Sequence, residues 1–78
     1  MQRDKDYLGM FKKLPHINAD YEVVDDWGYT PSLYHFDTEW CVCWISCEEG
    51  DGLQGFRAAT PEEAIQKAYD WAKEKRLI

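Results

Sequence analysis

Apolar positions recur along this chain with two different periods, and the change of period divides it. Near the amino terminus Tyr7, Leu8, Met10, Phe11 and Leu14 fall at helical spacing behind the capping candidates Asp4 and Asp6, and Pro15 closes the pattern. A short helix is predicted there, with Gly9 costing it about 1 kcal/mol. Residues 18–27 carry both periods. Ala19, Val23, Val24 and Trp27 share a helical face between Asn18 and Gly28, whereas Tyr21 and Val23 alternate as a strand does; helix is the reading adopted, strand its alternative.

From Tyr29 the period becomes two. A strand is predicted over 29–36, with Pro31 confining its first part to an edge or an irregular entry. The turn Phe36-Asp37-Thr38-Glu39 leads into a strand over 40–47 that carries Trp40, Val42, Trp44 and Ser46 on one face and Cys41, Cys43, Ile45 and Cys47 on the other. Both faces are largely apolar, which suits a central strand. Glu48-Glu49-Gly50-Asp51-Gly52 reads as a turn, and 53–59 as the returning strand of a hairpin.

The last element is a helix announced by Thr60 as N-cap, Pro61 at the first helical position, and Glu62 and Glu63 at the positive end of the dipole. Glu63 also stands in capping-box register with Thr60 and four residues before Lys67. Ala64, Ile65, Ala68, Tyr69, Trp71 and Ala72 fall in one arc, so this helix lies on an apolar surface, and its alanines permit close approach to a sheet. The predicted class is α+β: a three-stranded antiparallel sheet packed by a carboxy-terminal helix, with one or two short amino-terminal helices. No internal repeat or linker interrupts the 78 residues, which make one small domain.

Composition narrows what such a domain does. With 45% apolar and 15% aromatic residues the chain can bury a core. No run of about 20 apolar residues exists and the start is polar, so a soluble, cytoplasmic protein is expected, without a membrane partner. Charge is divided unevenly. Between Lys13 and Arg57 there is neither lysine nor arginine, yet Asp20, Glu22, Asp25, Asp26, Asp37, Glu39, Glu48, Glu49 and Asp51 lie there. A net charge of −6 argues against direct contact with nucleic acid and favours a Lys/Arg-rich protein partner.

Candidate chemistry is sparse. Cys41, Cys43 and Cys47 alternate on one strand, where neighbours stand about 6 to 7 Å apart, too far for sulfurs that must lie about 2.3 Å from one metal. They read as buried, inert thiols. His16 and His35 show no ligand spacing to them and read as surface or loop residues. There is no Ser-His-Asp arrangement, no phosphate loop, and no calcium-loop register in 48–52. Neither a cofactor, a metal nor a catalysed reaction is expected.

Leu14-Pro15-His16, the segment 21–27, the Trp40-x-Val42-Cys43 strand and the start Thr60-Pro61-Glu62-Glu63-Ala64 resemble small phage proteins of the helix-sheet-helix "ABA sandwich" kind. His16-Ile17-Asn18-Ala19-Asp20 stands where that family carries Tyr-Ser-Thr-Asp. The resemblance implies a phage or prophage origin and leaves the activity open. The Thr-x-Glu-Glu-Ala start is also similar to HicB-type antitoxins.

The expectation that follows is a phage-encoded, anti-CRISPR-like inhibitor, a monomer or small homo-oligomer in the host cytoplasm. Its binding surface comprises Asp25, Asp26, Trp27, Tyr29, Asp37, Glu39, Glu48, Glu49 and Asp51, gathered into one patch that grips a basic, nucleic-acid-binding groove of a CRISPR effector or similar complex. Trp27, Tyr29, Tyr34 and Phe36 border these acids and could anchor the contact, although core positions suit most of them better. An antitoxin-like regulator capping a basic toxin and a phage structural or assembly protein are the alternatives.

Overall fold

A computed structural model of the chain describes residues 6–25, 27–46 and 52–78. Among them are helix α1 (Tyr7–Lys12), strands β1 (His16–Ile17), β2 (Val23–Val24), β3 (Tyr29–Phe36), β4 (Glu39–Ser46) and β5 (Gly52–Ala58), and helix α2 (Pro61–Glu74). The strands form one antiparallel sheet in the order β2-β1-β3-β4-β5. The α+β class stands, with five strands where three were predicted and a single short amino-terminal helix. Strands β1 and β2 hold two residues each, too few for a period to register.

The helix expected within 18–27 does not form. Asn18 Oδ1 accepts from the Asp20 and Glu22 amides at 2.9 and 3.0 Å, and Tyr21 takes φ 62°, a left-handed conformation no α-helix tolerates. The residue that resembles an N-cap instead builds the connection of a β1–β2 hairpin.

Helix α2 follows its sequence signals. Thr60 Oγ1 accepts from the Glu63 amide at 3.2 Å and donates to the Glu63 carboxylate at 3.3 Å. Ala64, Ile65, Ala68 and Ala72 are buried against β4 and β5. The predicted Glu63–Lys67 pair is replaced by another contact, because Lys67 Nζ donates to the Arg57 carbonyl of β5 at 2.8 Å. At the far end Arg76 adopts φ 62° and the Leu77 amide returns to the Ala72 carbonyl at 2.8 Å, a Schellman closure that buries Leu77.

Register fixes the two faces of the sheet. Pairs Leu33↔Val42, Val42↔Phe56 and Trp40↔Ala58 share the face under α2, together with Tyr29, Pro31 and Trp44. Trp44 is fully buried, its ring 5.0 Å from that of Trp71 and 6.4 Å from that of Phe56. Its indole Nε1 donates to the Pro15 carbonyl at 2.8 Å, tying the segment after α1 to the core. A bulge at Trp44/Ile45 turns Leu53 toward that core as well. Among the described residues no helix is long and apolar enough to cross a membrane.

Candidate functional site

The site builds up around Asn18. Its backbone amide donates to the Glu22 carbonyl at 2.9 Å, its Nδ2 donates to Glu22 Oε1 at 3.0 Å, and its own carbonyl accepts from Tyr21 at 3.0 Å. One side chain thus organises the connection 18–22 and holds the Asp20 and Glu22 backbones in place, with both residues exposed. Tyr21 sets its ring edge against Trp71 of α2, 5.8 Å between centroids, so the loop is pinned to the helix layer as well as to the sheet.

Asp25 and Trp27 follow β2 on the return to β3. Gly28 makes that return possible: it takes φ 89°, and a Cβ there would lie 2.7 Å from the Ile17 carbonyl oxygen. The approach leaves Trp27 59% exposed and Tyr29 half-buried beneath it in the sheet, paired with Ile17 and Ser46. Asp20, Glu22, Asp25, Tyr21, Val23 and Trp27 therefore lie on or beside the β1–β2 hairpin at one edge of the sheet, carboxylates alternating with exposed apolar groups along the chain. None of these three acids has a basic partner among the described residues.

Asp37 and Glu39 stand elsewhere. They flank the β3–β4 turn, where Asp37 takes φ 59°, and eight extended residues of β3 separate them from Tyr29 by about 23 Å. The single patch expected from the sequence is therefore divided between the two ends of one hairpin. Glu39 is also partly neutralised: Arg57, brought opposite Cys41 by the β4–β5 register, lies 3.9 Å from its carboxylate and 5.1 Å over the Phe36 ring. Asp26, Glu48, Glu49 and Asp51 lie outside the described residues.

Of the four aromatics Trp27, Tyr29, Tyr34 and Phe36, most of which were expected in the core, three are surface groups: Tyr34 and Phe36, at 40% and 52% exposed, join Trp27. The histidines lie in strands rather than loops. His16 Nδ1 is 3.5 Å from Thr30 Oγ1, and the His35 ring is 4.8 Å from that of Trp40. Cys41 is buried and Cys43 half-buried; burial, with the neighbouring Cys41 adding to it, pushes the Cys43 thiol above its ordinary pKa, so it is a poor nucleophile. Among the described residues no group of three or more His, Cys, Asp or Glu side chains has metal-binding geometry.

In the sequence Asp20 and Glu22 count toward the acidic stretch but not toward the expected binding surface, and Tyr21 and Val23 enter only through their strand-like alternation. The signal that could have found them is Asn18-x-Asp-x-Glu, an Asx-turn pattern that turns both acids outward. No protein-family model, curated protein or solved structure matches this chain.

Proposed function

We propose that this chain is a non-enzymatic, phage-encoded acidic inhibitor that occupies a basic, nucleic-acid-binding surface of a host defence complex in the host cytoplasm. The observation that carries the reading is the Asn18–Gly28 end of the sheet. There Asp20, Glu22 and Asp25 alternate along the chain with exposed Tyr21, Val23 and Trp27, with no base among the described residues paired to the three acids. Carboxylates on a cross-braced loop lose little freedom when they meet arginine or lysine, and an aromatic side chain among them gives the apolar centre that a protein interface needs. Asp26, Glu48, Glu49 and Asp51 add to the same charge in the sequence. Asp37 and Glu39 belong to a separate, secondary contact.

The test is a plasmid-interference assay in cells carrying an active CRISPR effector. Expression of the chain should restore transformation, and Asp20→Lys/Glu22→Lys/Asp25→Lys should abolish that effect while preserving the circular dichroism spectrum. Capture of the effector should weaken between about 0.1 M and 1 M salt, as the Debye length falls from about 10 Å to about 3 Å. Full inhibition by the triple variant would sink the proposal.

A further inference from the structure

We propose that Lys67 is a gatekeeper, whose bond to the Arg57 carbonyl closes the β5 edge of the sheet against an added strand and keeps copies of the chain apart. The inference is independent of the acidic surface. The strand order leaves two edges, β2 and β5, and among the described residues each is paired on one side only. A free edge is a row of unpaired N–H and C=O groups, a template on which another strand can pair. Strand β2 offers two residues, too few to serve as one. Strand β5 offers seven, with no proline among them.

Which residues of β5 point outward follows from Pro31. Proline has no N–H to give, so its pair with Trp44 is an open one, and the bonded pairs of β3 with β4 are the alternate ones, Thr30↔Ile45, Ser32↔Cys43 and Tyr34↔Cys41. Trp44, Val42 and Trp40 therefore turn their backbone groups the other way, to Gln54, Phe56 and Ala58 of β5. Gly55 and Arg57 are left facing outward. The position of Lys67 agrees independently: its Nζ, an exposed ammonium on α2, reaches the Arg57 carbonyl at 2.8 Å.

Three features make this contact a closing device. Helical spacing offers Lys67 a partner in Glu63, yet Glu63 is engaged with Thr60 at the N-cap and the lysine crosses to the strand instead. The edge is also adhesive, because the half-buried rings of Phe56 and Trp71 line an open groove beside it, between β5 and α2. An arriving strand would gain backbone bonds and apolar cover together. Finally, that strand must donate its own N–H to the Arg57 carbonyl, and so must displace the ammonium or come to rest against a charge that its backbone cannot neutralise. A hydrogen bond to a charged group is worth about 10- to 100-fold in an equilibrium constant. Losing it is a step from about 1 mM to about 10–100 μM in a dissociation constant.

The experiment is sedimentation velocity of the full chain and three variants from about 5 to 500 μM, a range that brackets micromolar association. The parent should remain at the 9.2 kDa of one chain throughout. So should Lys67→Arg, which keeps a charged donor, and Lys73→Ala, which removes the same charge from the same helix but from over the Tyr69 ring. Lys67→Ala, at an exposed position, should associate with a dissociation constant below about 500 μM. It should do so although losing a lysine makes the net charge more negative than −6, which by itself opposes association. In the associated form the outward Gly55 and Arg57 amides should exchange hydrogen more slowly, while the Phe56 amide, already bonded within the sheet, is unchanged. A Lys67→Ala chain that stays at 9.2 kDa at the top of the range overturns the inference. So does a parent, Lys67→Arg or Lys73→Ala chain that associates as readily, or protection that appears away from β5.

Discussion

The two faces of this sheet are made by the same three strands and differ in what opposes them. Under α2 the residues are large and closed over: Trp44 and Val42 are fully buried, and Ala64, Ala68 and Ala72 bring the helix down onto them. The other face mixes Cys41, Cys43, Ile45, Tyr34 and Phe36 with Thr30, Ser32, Glu39 and Arg57; Cys41 is buried there, but the Tyr34 and Phe36 rings are open to solvent. Apolar character alone therefore does not mark the core of this protein. What marks it is a partner layer with small residues at the contact, which among the described residues α2 supplies.

The sharpest way to break this contrast is to truncate one aromatic residue on each face. Trp44→Ala should cost about 3 to 5 kcal/mol, since it empties the centre of the core and strands the Pro15 carbonyl, whereas Phe36→Ala should cost less than about 1 kcal/mol in the monomer. Urea midpoints at low protein concentration measure both. Equal losses would mean that the open face is also a packed one.

A smaller effect comes from adding volume. Ala68→Leu drives a branched side chain into a contact that has none to spare and should destabilise by about 1 to 3 kcal/mol. Gly55→Ala adds its methyl group at ordinary contact distance on the open face and should be neutral or stabilising by up to about 1 kcal/mol. A destabilising Gly55→Ala, read by the same denaturation, would show that the thiols leave no room for the methyl group.

At the helix layer's own end, Arg76→Gly relieves a left-handed residue in the Schellman closure and should add about 0.5 to 1 kcal/mol, visible as a rise in Tm. The smallest expected effect is a titration on the open face. Hydrogen bonding between the Tyr34 hydroxyl and Cys41, with some desolvation, pushes the Tyr34 pKa from 10.0 up to about 12. Because the folded value lies above the unfolded one, this contribution is complete below pH 10 and is lost as pH rises toward 12. Phenolate absorbance should show one tyrosine titrating late, and Tyr34→Phe should remove that phase. A late phase that survives in Tyr34→Phe belongs to another residue.

The long elements were legible because each repeats its signal. Strands β3, β4 and β5 alternate over seven or eight residues, and α2 carries a cap, a proline and a buried stripe in mutual agreement. Strands β1 and β2 were not, since two residues hold no period and their pairing depends on a turn. Asn18 shows why the local reading failed: the same carboxamide caps a helix or closes an Asx turn, and only the burial of Ile17 and the contact of Tyr21 with Trp71 select the turn. The candidate site was legible in part, because Asp25, Trp27 and Tyr29 are near neighbours in the chain and remain so in space.

By itself the sequence determined the charge of the middle of the chain, the alternation of β4 and the seating of α2, all of them properties of neighbours one to four residues apart. Only the tertiary structure decided that Asp37 and Glu39 stand a strand's length from Asp25, that Arg57 returns to Glu39, and that α2 packs on one face of the sheet while Tyr34 and Phe36 stay exposed on the other. These are consequences of register and layer count, and they arise from contacts between residues far apart in the chain, whose geometry no local pattern encodes.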